Sequence, residues 1–289
     1  MQFLLRIVLG LAVLLAAGCA SLPPSPFSPA EAARLTALLP ADALLLGEQH
    51  DAAEHHQLER RVVAWLAARG ELAALAIEMA EQGHGTAGLP RTASEAEVRA
   101  ALDWSDQGWP WSSYGPVVMA AVRAGVPVLG ANLPRARLRQ AMADAALDAR
   151  LPPAERKEQA QRIREGHCDM LPESQIGPMT RVQIARDLAM ADAITSARQP
   201  GRTVLLVAGN GHVHRARGVP AHLPPQVRAK VIMALAMPAP EATDSIADDE
   251  AGADLIWRTP PVPPRDYCAE FKRSTRRPPS SAASGSKKS

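Results

Sequence analysis

Short apolar runs alternate with helical patterns along the middle of the chain. Runs without polar alternation are typical of strands in a sheet that helices cover on both faces, and such a sheet is mostly parallel. The pattern therefore predicts an α/β fold, with a mostly parallel sheet flanked by helices. The five runs predicted as strands are residues 43–46, 72–77, 126–129, 203–208 and 230–236.

Helical patterns fill the segments between these strands. Leu58, Val62 and Leu66 recur at helical spacing, and Gly70 stands where a helix C-cap belongs, so the first two strands and this helix form a βαβ unit. Too few strands separate the remaining helices for all of them to be crossovers. We therefore predict a small helical subdomain over approximately residues 134–200. The other predicted helices cover residues 94–103, 134–149, 154–166 and 178–198.

The first 18 residues have the pattern of a signal peptide. Arg6 precedes an apolar run over residues 7–17, and small residues stop directly before Cys19, as in the lipobox of bacterial lipoproteins. We expect Cys19 to carry a lipid, with residues 19–35 as the lipidated N-terminus and tether. The alternatives are an ordinary signal peptide cut near Ala20 and an uncleaved membrane helix. The run is shorter than the roughly 20 residues that span a bilayer, which favours lipidation.

These features predict an exported, lipid-anchored protein that faces the periplasm or the cell surface. The residue after the cysteine is Ala20, not the aspartate that retains many lipoproteins in the inner membrane, so the outer membrane is favoured. An oxidising compartment permits disulfides, and Cys168 and Cys268 are the pair that remains. We expect them to be bridged; the alternative is two free buried thiols.

Charge is unevenly distributed along the chain. The formal net charge is +2, but residues 272–289 hold six Lys and Arg residues and no acid, which leaves −4 for the rest. This tail is of low complexity and is predicted to be disordered, so the folded domain is expected over residues 36–271. The hydrophobic content of 47% excludes a wholly disordered chain, and the charge gives no signature of nucleic-acid binding.

Polar residues follow four of the predicted strands at their carboxyl ends. Ligands of open α/β sheets bind beyond these ends, so the five residues are expected to converge. Two carboxylates with two imidazoles suit a divalent metal or general acid and base chemistry, and a purely structural network is the alternative. The residues are Glu48, His50, Glu78, Asn132 and His212.

The histidines after His50 have a simpler interpretation. Asp51 is expected to cap the following helix and Glu54 to complete a capping box. His55 and His56 would then lie on the solvated or sheet-facing side of that helix.

Several motifs together resemble the ChaN family of haem-binding lipoproteins. They occur in the family's order over roughly residues 36–270, and the element Gly47-Glu48-Gln49-His50 matches the Gly-x-x-His of the wider Tiki superfamily, which includes erythromycin-esterase-like hydrolases. The other matching segments are Ala76-Ile77-Glu78-Met79, Gly166-His167-Cys168, residues 181–190 and Gly209-Asn210-Gly211-His212-Val213.

The resemblance implies a haem cofactor, held between two protomers with iron bound by tyrosine. Only Tyr114 and Tyr267 are present, and Tyr267 adjoins Cys268. Tyr114 lies in a tryptophan-rich segment suited to a flat porphyrin, so it is the preferred ligand, with a structural core role as the alternative. His167 and His84 are alternative axial ligands.

The sequence therefore favours two alternative functions. The first is a membrane-anchored haem-binding lipoprotein for haem or iron uptake or storage, which forms a homodimer on binding haem. The second is a metal-dependent hydrolase of the Tiki and erythromycin-esterase type, in which Glu48, His50, Glu78 and His212 surround a divalent metal or a water.

Overall fold

The computed structural model describes residues 25–237 and 252–276. Six strands form one sheet in which every neighbouring pair is parallel, so the predicted α/β class is confirmed. The strands are β1 (Ala43–Glu48), β2 (Leu72–Glu81), β3 (Val128–Asn132), β4 (Thr203–Gly209), β5 (Ala229–Ala236) and β6 (Leu255–Thr259). Their order across the sheet is β3-β2-β4-β1-β5-β6.

Helices cover both faces of this sheet. Alternate strand residues explain the two layers: Leu44 and Leu46 pack with the helices on one face, and Leu45 packs with those on the other. The helices are α1 (Pro29–Thr36), α2 (Ala53–Ala68), α3 (Glu95–Ala101), α4 (Trp111–Ala124), α5 (Leu138–Ala143), α6 (Pro153–Gly166), α7 (Glu173–Ala197), α8 (Asn210–Val213) and α9 (Tyr267–Arg276). Three short 3-10 turns cover Arg135–Arg137, Ala145–Arg150 and Val219–His222.

The folded domain begins before the predicted boundary at residue 36. Phe27 is buried and packs edge-on against Trp65 and Trp257, with ring centroids 6.5 and 5.5 Å apart. Helix α1 follows at once, and Ser28 and Glu31 form its capping box. The predicted tether over residues 19–35 is therefore too long at its C-terminal end. Residues 1–24, including Cys19, lie outside the described residues.

Strand β6 has no counterpart among the predicted strands. It lies at the edge of the sheet and pairs only with β5, and the exposed Arg258 follows the buried Trp257 at its centre. An edge strand needs no unbroken apolar run, which is why the pattern used for the other strands misses this one.

The longest helix of the region over residues 134–200 packs both within that region and on the sheet. Helix α7 is 25 residues long: Val182 packs against Leu133 and Ala141, whereas Met190 and Ile194 pack on the sheet. The segment predicted as one helix over residues 134–149 consists of α5 between two 3-10 turns.

The end of α6 is tied to α9. A disulfide joins Cys168 to Cys268, with Cα atoms 5.6 Å apart. Helix α9 continues to Arg276, so the tail predicted as disordered from residue 272 begins inside a helix, and residues 277–289 lie outside the described residues. Within the described part of the chain, no helix is both long and apolar enough to span a membrane.

Candidate functional site

The carboxyl ends of β2, β4 and β1 are adjacent in the sheet, and their polar residues meet there. Glu48 lies opposite Gly209 in the parallel register of β1 and β4. Glu48, His50, Glu78 and His212 line one cavity of about 420 Å³. Asn132, at the end of β3, does not join them; its amide donates to the Glu78 main-chain carbonyl oxygen over 2.9 Å.

His212 lies between two buried acids. Its Nδ1 is 2.6 Å from an Asp187 carboxylate oxygen, and its Nε2 is 3.5 Å from Glu78 Oε1. Burial disfavours the imidazolium, but the Glu78 and Asp187 charges outweigh burial and raise the pKa of His212 to about 10. At neutral pH the ring is therefore a cation held between carboxylates.

The two acids respond to His212 differently. Burial raises the pKa of Asp187 to about 6 despite the His212 charge. Burial also opposes ionisation of Glu78, but His212, His50 and the Gly209 N–H together lower its pKa to about 2. That N–H donates to Glu78 Oε2 over 2.8 Å. Glu78 is thus a fixed anion on the floor of the cavity.

Glu48 organises a second group of side chains. Its Oε1 is 2.7 Å from His50 Nδ1 and accepts a 2.7 Å hydrogen bond from the Tyr114 hydroxyl. Its Oε2 is 3.2 Å from His56 Nε2. Burial opposes ionisation, but the hydrogen bonds of the two histidines hold the pKa of Glu48 well below its usual range. Burial alone would lower the pKa of His50. The hydrogen bond and charge of Glu48 and the charge of Glu78 outweigh burial, so the pKa is raised above its ordinary value.

Tyr114 is part of this buried group. Only 3% of the residue is exposed, and burial with the adjacent Glu48 charge raises the pKa of its hydroxyl far above the ordinary value. The phenol stays protonated and donates to Glu48. This arrangement fits the alternative core role, and the role of Tyr114 as iron ligand stays a prediction.

His50 is the imidazole of this group that faces the cavity. Its side chain is 42% exposed, and its ring packs edge-on against Trp109 with centroids 4.8 Å apart. A Cβ on Gly209 would lie 2.9 Å from His50 Nε2, so glycine at this strand end lets the ring lie close to the main chain.

A second cavity of about 380 Å³ continues from the first. Glu78, Trp109 and Arg186 line both cavities, and Asn132 and Arg135 line the second. Together they form a cleft along the carboxyl ends of the strands, where ligands of open α/β sheets bind.

Comparison with known proteins adds to this geometry. Residues 34–223 match the family model described as "Haem-binding uptake, Tiki superfamily, ChaN". The chain belongs to this ChaN family. A solved structure titled "Cofacial heme binding to ChaN of Campylobacter jejuni" is 22% identical, with a TM-score of 0.58 over 74% of this chain and 87% of that one. At this identity the likeness shows a shared fold.

Two further solved structures are similar at lower scores. The type III effector HopBA1 is 18% identical, with a TM-score of 0.46 over 76% of this chain and 88% of that one. A protein from Bacillus cereus is 15% identical, with a TM-score of 0.36 over 73% and 70% of the two chains. No curated protein matches the chain.

The ChaN family match ends before β5, β6 and α9, and a distinct surface lies beyond it. Tyr267 begins α9, is 51% exposed, and donates its hydroxyl hydrogen to Asp51 in the turn after β1. Asp51 therefore does not cap α2, whose N-cap is Ala52 without a side-chain hydrogen bond. His167 Nδ1 is 2.8 Å from the Ile163 carbonyl oxygen, and His84 is exposed in the turn after β2.

A metal site is not formed by the predicted ligands. Among residues 25–237 and 252–276, no group of three or more His, Cys, Asp or Glu side chains is arranged to hold a metal ion. In the cleft, both nitrogens of His212 face acids, and Glu48 already contacts His50, His56 and Tyr114.

Two residues of the buried network and one residue that lines the cleft were not predicted as site residues from the sequence. Asp187 on α7 pairs with His212, and Glu59 on α2 is fully buried, where burial and the Glu48 charge raise its pKa well above the ordinary value. Arg186 lines the cleft. The signal was an acid on the apolar side of a helix: Glu59 shares its face with Val62 and Leu66.

Proposed function

We propose that the protein binds haem and acts in haem or iron uptake or storage as a lipoprotein anchored through Cys19, in the outer membrane in preference to the inner. Family membership supports the haem ligand, and the lipobox-like sequence supports the anchor. Radiolabelled palmitate should enter the wild-type chain and not Cys19→Ala; labelling of both proteins would contradict the anchor.

The single observation that carries the site is the contrast between the two tyrosines. Both hydroxyls donate to a carboxylate, but Tyr114 is buried with Glu48, whereas Tyr267 is half exposed and meets Asp51 at the surface. A phenolate is an established protein ligand of haem iron. We therefore assign the iron to Tyr267 in place of Tyr114.

The surface around Tyr267 suits a flat apolar ligand. The large hydrophobic residues exposed within the described part of the chain are Met170, Met237 and Tyr267. Met170 is two residues from Cys168 and Tyr267 adjoins Cys268, so the disulfide brings these two side chains to the same part of the surface. Exposed apolar patches of this kind mark ligand or partner sites, and this one also suits a homodimer formed on haem.

His167 is the second candidate ligand on this surface. Because a carbonyl oxygen only accepts, the Nδ1 facing Ile163 carries the proton, and Nε2 keeps its lone pair. Haem-ligating histidines commonly have this arrangement, in which a carbonyl fixes the tautomer. The disulfide brings His167 and Tyr267, which flank its two cysteines, to the same part of the surface.

Titration of the purified protein with hemin tests the proposal. We expect saturation near one haem per chain, with a rise in mass to that of a dimer by light scattering, and a phenolate-to-iron(III) charge-transfer band. Tyr267→Phe should lose that band and Tyr114→Phe should keep it. Absence of saturable binding contradicts the haem function, and a band retained in Tyr267→Phe contradicts the assigned ligand.

A second candidate function is hydrolysis at the cleft. The observation that favours it is His50, whose half-exposed ring lines the cavity while Glu48 contacts its Nδ1, the arrangement of a general base. In an ester-hydrolysis screen, His50→Gln should abolish any activity found and Tyr267→Phe should preserve it. Equal activity of His50→Gln and wild type would exclude this site.

A further inference from the structure

Arg186 is the cation of the cleft that lacks a full set of partners. It lies on α7, directly before Asp187, and lines both cavities. Its Nε is buried and has no hydrogen-bond partner among the described residues. Its Nη1 makes one long hydrogen bond of 3.3 Å to Gln183. A guanidinium offers five N–H donors in a rigid fork, so most of this capacity is open to a ligand.

Three of the acids near Arg186 already face other basic groups. Glu78 accepts from Gly209 and faces His212, and Glu81 lies 3.5 Å from the guanidinium of Arg135. Asp187 is 2.6 Å from His212, and Asp103 is exposed. An anion that enters the cleft therefore finds Arg186 with donors to offer.

The walls next to Arg186 are partly apolar and partly aromatic. Trp109 lines both cavities and is held by the main chain, because its N–H donates to Ser105 and its carbonyl oxygen accepts from Trp104. Leu133 and Leu138 line the second cavity. A planar body can pack on the indole while an acid group meets the guanidinium.

We propose that the cleft is a binding site for a ligand that carries a carboxylate on a flat apolar body, with Arg186 as the residue that binds the carboxylate and Trp109 as the surface that receives the body. The site is separate from the surface around Tyr267 and does not depend on haem binding there. Either a free organic acid or a haem propionate supplies this chemistry.

Benzoate, a flat carboxylate, is the probe. Calorimetric titration of the full chain in detergent should show one site, and Arg186→Gln should weaken it by about tenfold or more, the loss expected for a charge-assisted hydrogen-bond pair. Arg135→Gln is the matched control, because Arg135 lines the same cavity but faces Glu81 and is 67% exposed; its affinity should stay within about twofold. Wild type that fails to bind, or Arg186→Gln that binds equally well, would overturn the proposal.

Two further measurements keep the test independent of folding and identify the ligand. In the wild type, benzoate should shift the indole N–H resonance of Trp109, assigned with Trp109→Phe; an unmoved resonance would contradict the site. Inorganic phosphate that displaces benzoate with equal strength would overturn the carboxylate assignment. Benzoate that still binds in excess hemin indicates a free organic acid. Displacement of benzoate by a second equivalent of hemin per chain indicates the propionate of a haem bound in the cleft.

Discussion

Two regions of the molecule use the same residue types in opposite ways. In the cleft, Tyr114 and His212 are buried, and their polar atoms face Glu48, Glu78 and Asp187. On the surface beside the disulfide, Tyr267 is half exposed and His167 keeps one ring nitrogen free of the Ile163 carbonyl. Histidine and tyrosine in a family of haem-binding proteins are therefore no guide to the haem site until their partners are known.

Removal of the buried imidazole should have the largest effect on stability. His212→Leu leaves Glu78 and Asp187 buried without their shared cation, so we expect a loss of about 3–5 kcal/mol in the free energy of unfolding, measured by urea denaturation. His167→Leu is the matched substitution on the other region and should cost less than about 1 kcal/mol. Equal losses would remove the distinction between the two regions.

Opening the disulfide should act mainly on the surface region. The double variant Cys168→Ser and Cys268→Ser frees a loop that spans 100 residues, and we expect a loss of about 2–4 kcal/mol in unfolding free energy. Hemin affinity should fall, because His167 and Tyr267 are no longer held together. Unchanged hemin affinity would mean that the two flanking residues do not act as one site.

Tyr114 should matter for stability and Tyr267 for the hemin spectrum. Tyr114→Phe removes a hydrogen bond to an ionised carboxylate and should cost about 1.5–3 kcal/mol of stability. Tyr267→Phe should leave the unfolding transition nearly unchanged, because its hydrogen bond to Asp51 is exposed to water. Denaturation curves and hemin spectra of both variants, recorded side by side, check this prediction. The comparison fails if Tyr267→Phe is the more destabilising.

Stability should decline with rising pH between pH 7 and 9. The pKa of His212 is raised from 6.5 to about 10, so in this window the folded chain holds a proton that the unfolded chain has lost. The stabilisation is complete below pH 6.5 and disappears as the pH rises through about 10, with a slope of at most about 1.4 kcal/mol per pH unit for this group. Urea denaturation at several pH values should show that the unfolding free energy of His212→Gln falls less steeply with pH than that of the wild type. An identical slope for the two proteins would show that His212 is not the titrating group.

Much of the sheet follows directly from the sequence because its central strands are buried on both faces. The apolar runs of β1, β2 and β4 were sufficient, and the convergence of Glu48, Glu78 and His212 followed from parallel strands ending at one edge. Strand β6 was missed because this short edge strand contains the exposed Arg258 and carries no such run.

The partners within the site were harder to predict than its location. Asp187, Glu59 and Tyr114 come from helices, and a helical residue meets a strand end only after the helix has packed on the sheet. Tyr114 is an example: Trp104 and Trp109 pack around its phenol, which is bonded to Glu48, and the sequence pattern does not reveal that bond. Hydrogen-bond partners at long range decide its role, and periodicity carries no information about them.

The Cys168–Cys268 bond closes a covalent ring that includes β4, β5 and β6. A single cut by a protease anywhere inside this ring leaves two fragments that stay joined through sulfur. Helix α9, with Tyr267, then remains attached to the end of α6 although the main chain is broken. A nicked protein would run as one species on a gel without reductant and as two with it, and the residues that flank the bond would stay together through the cut.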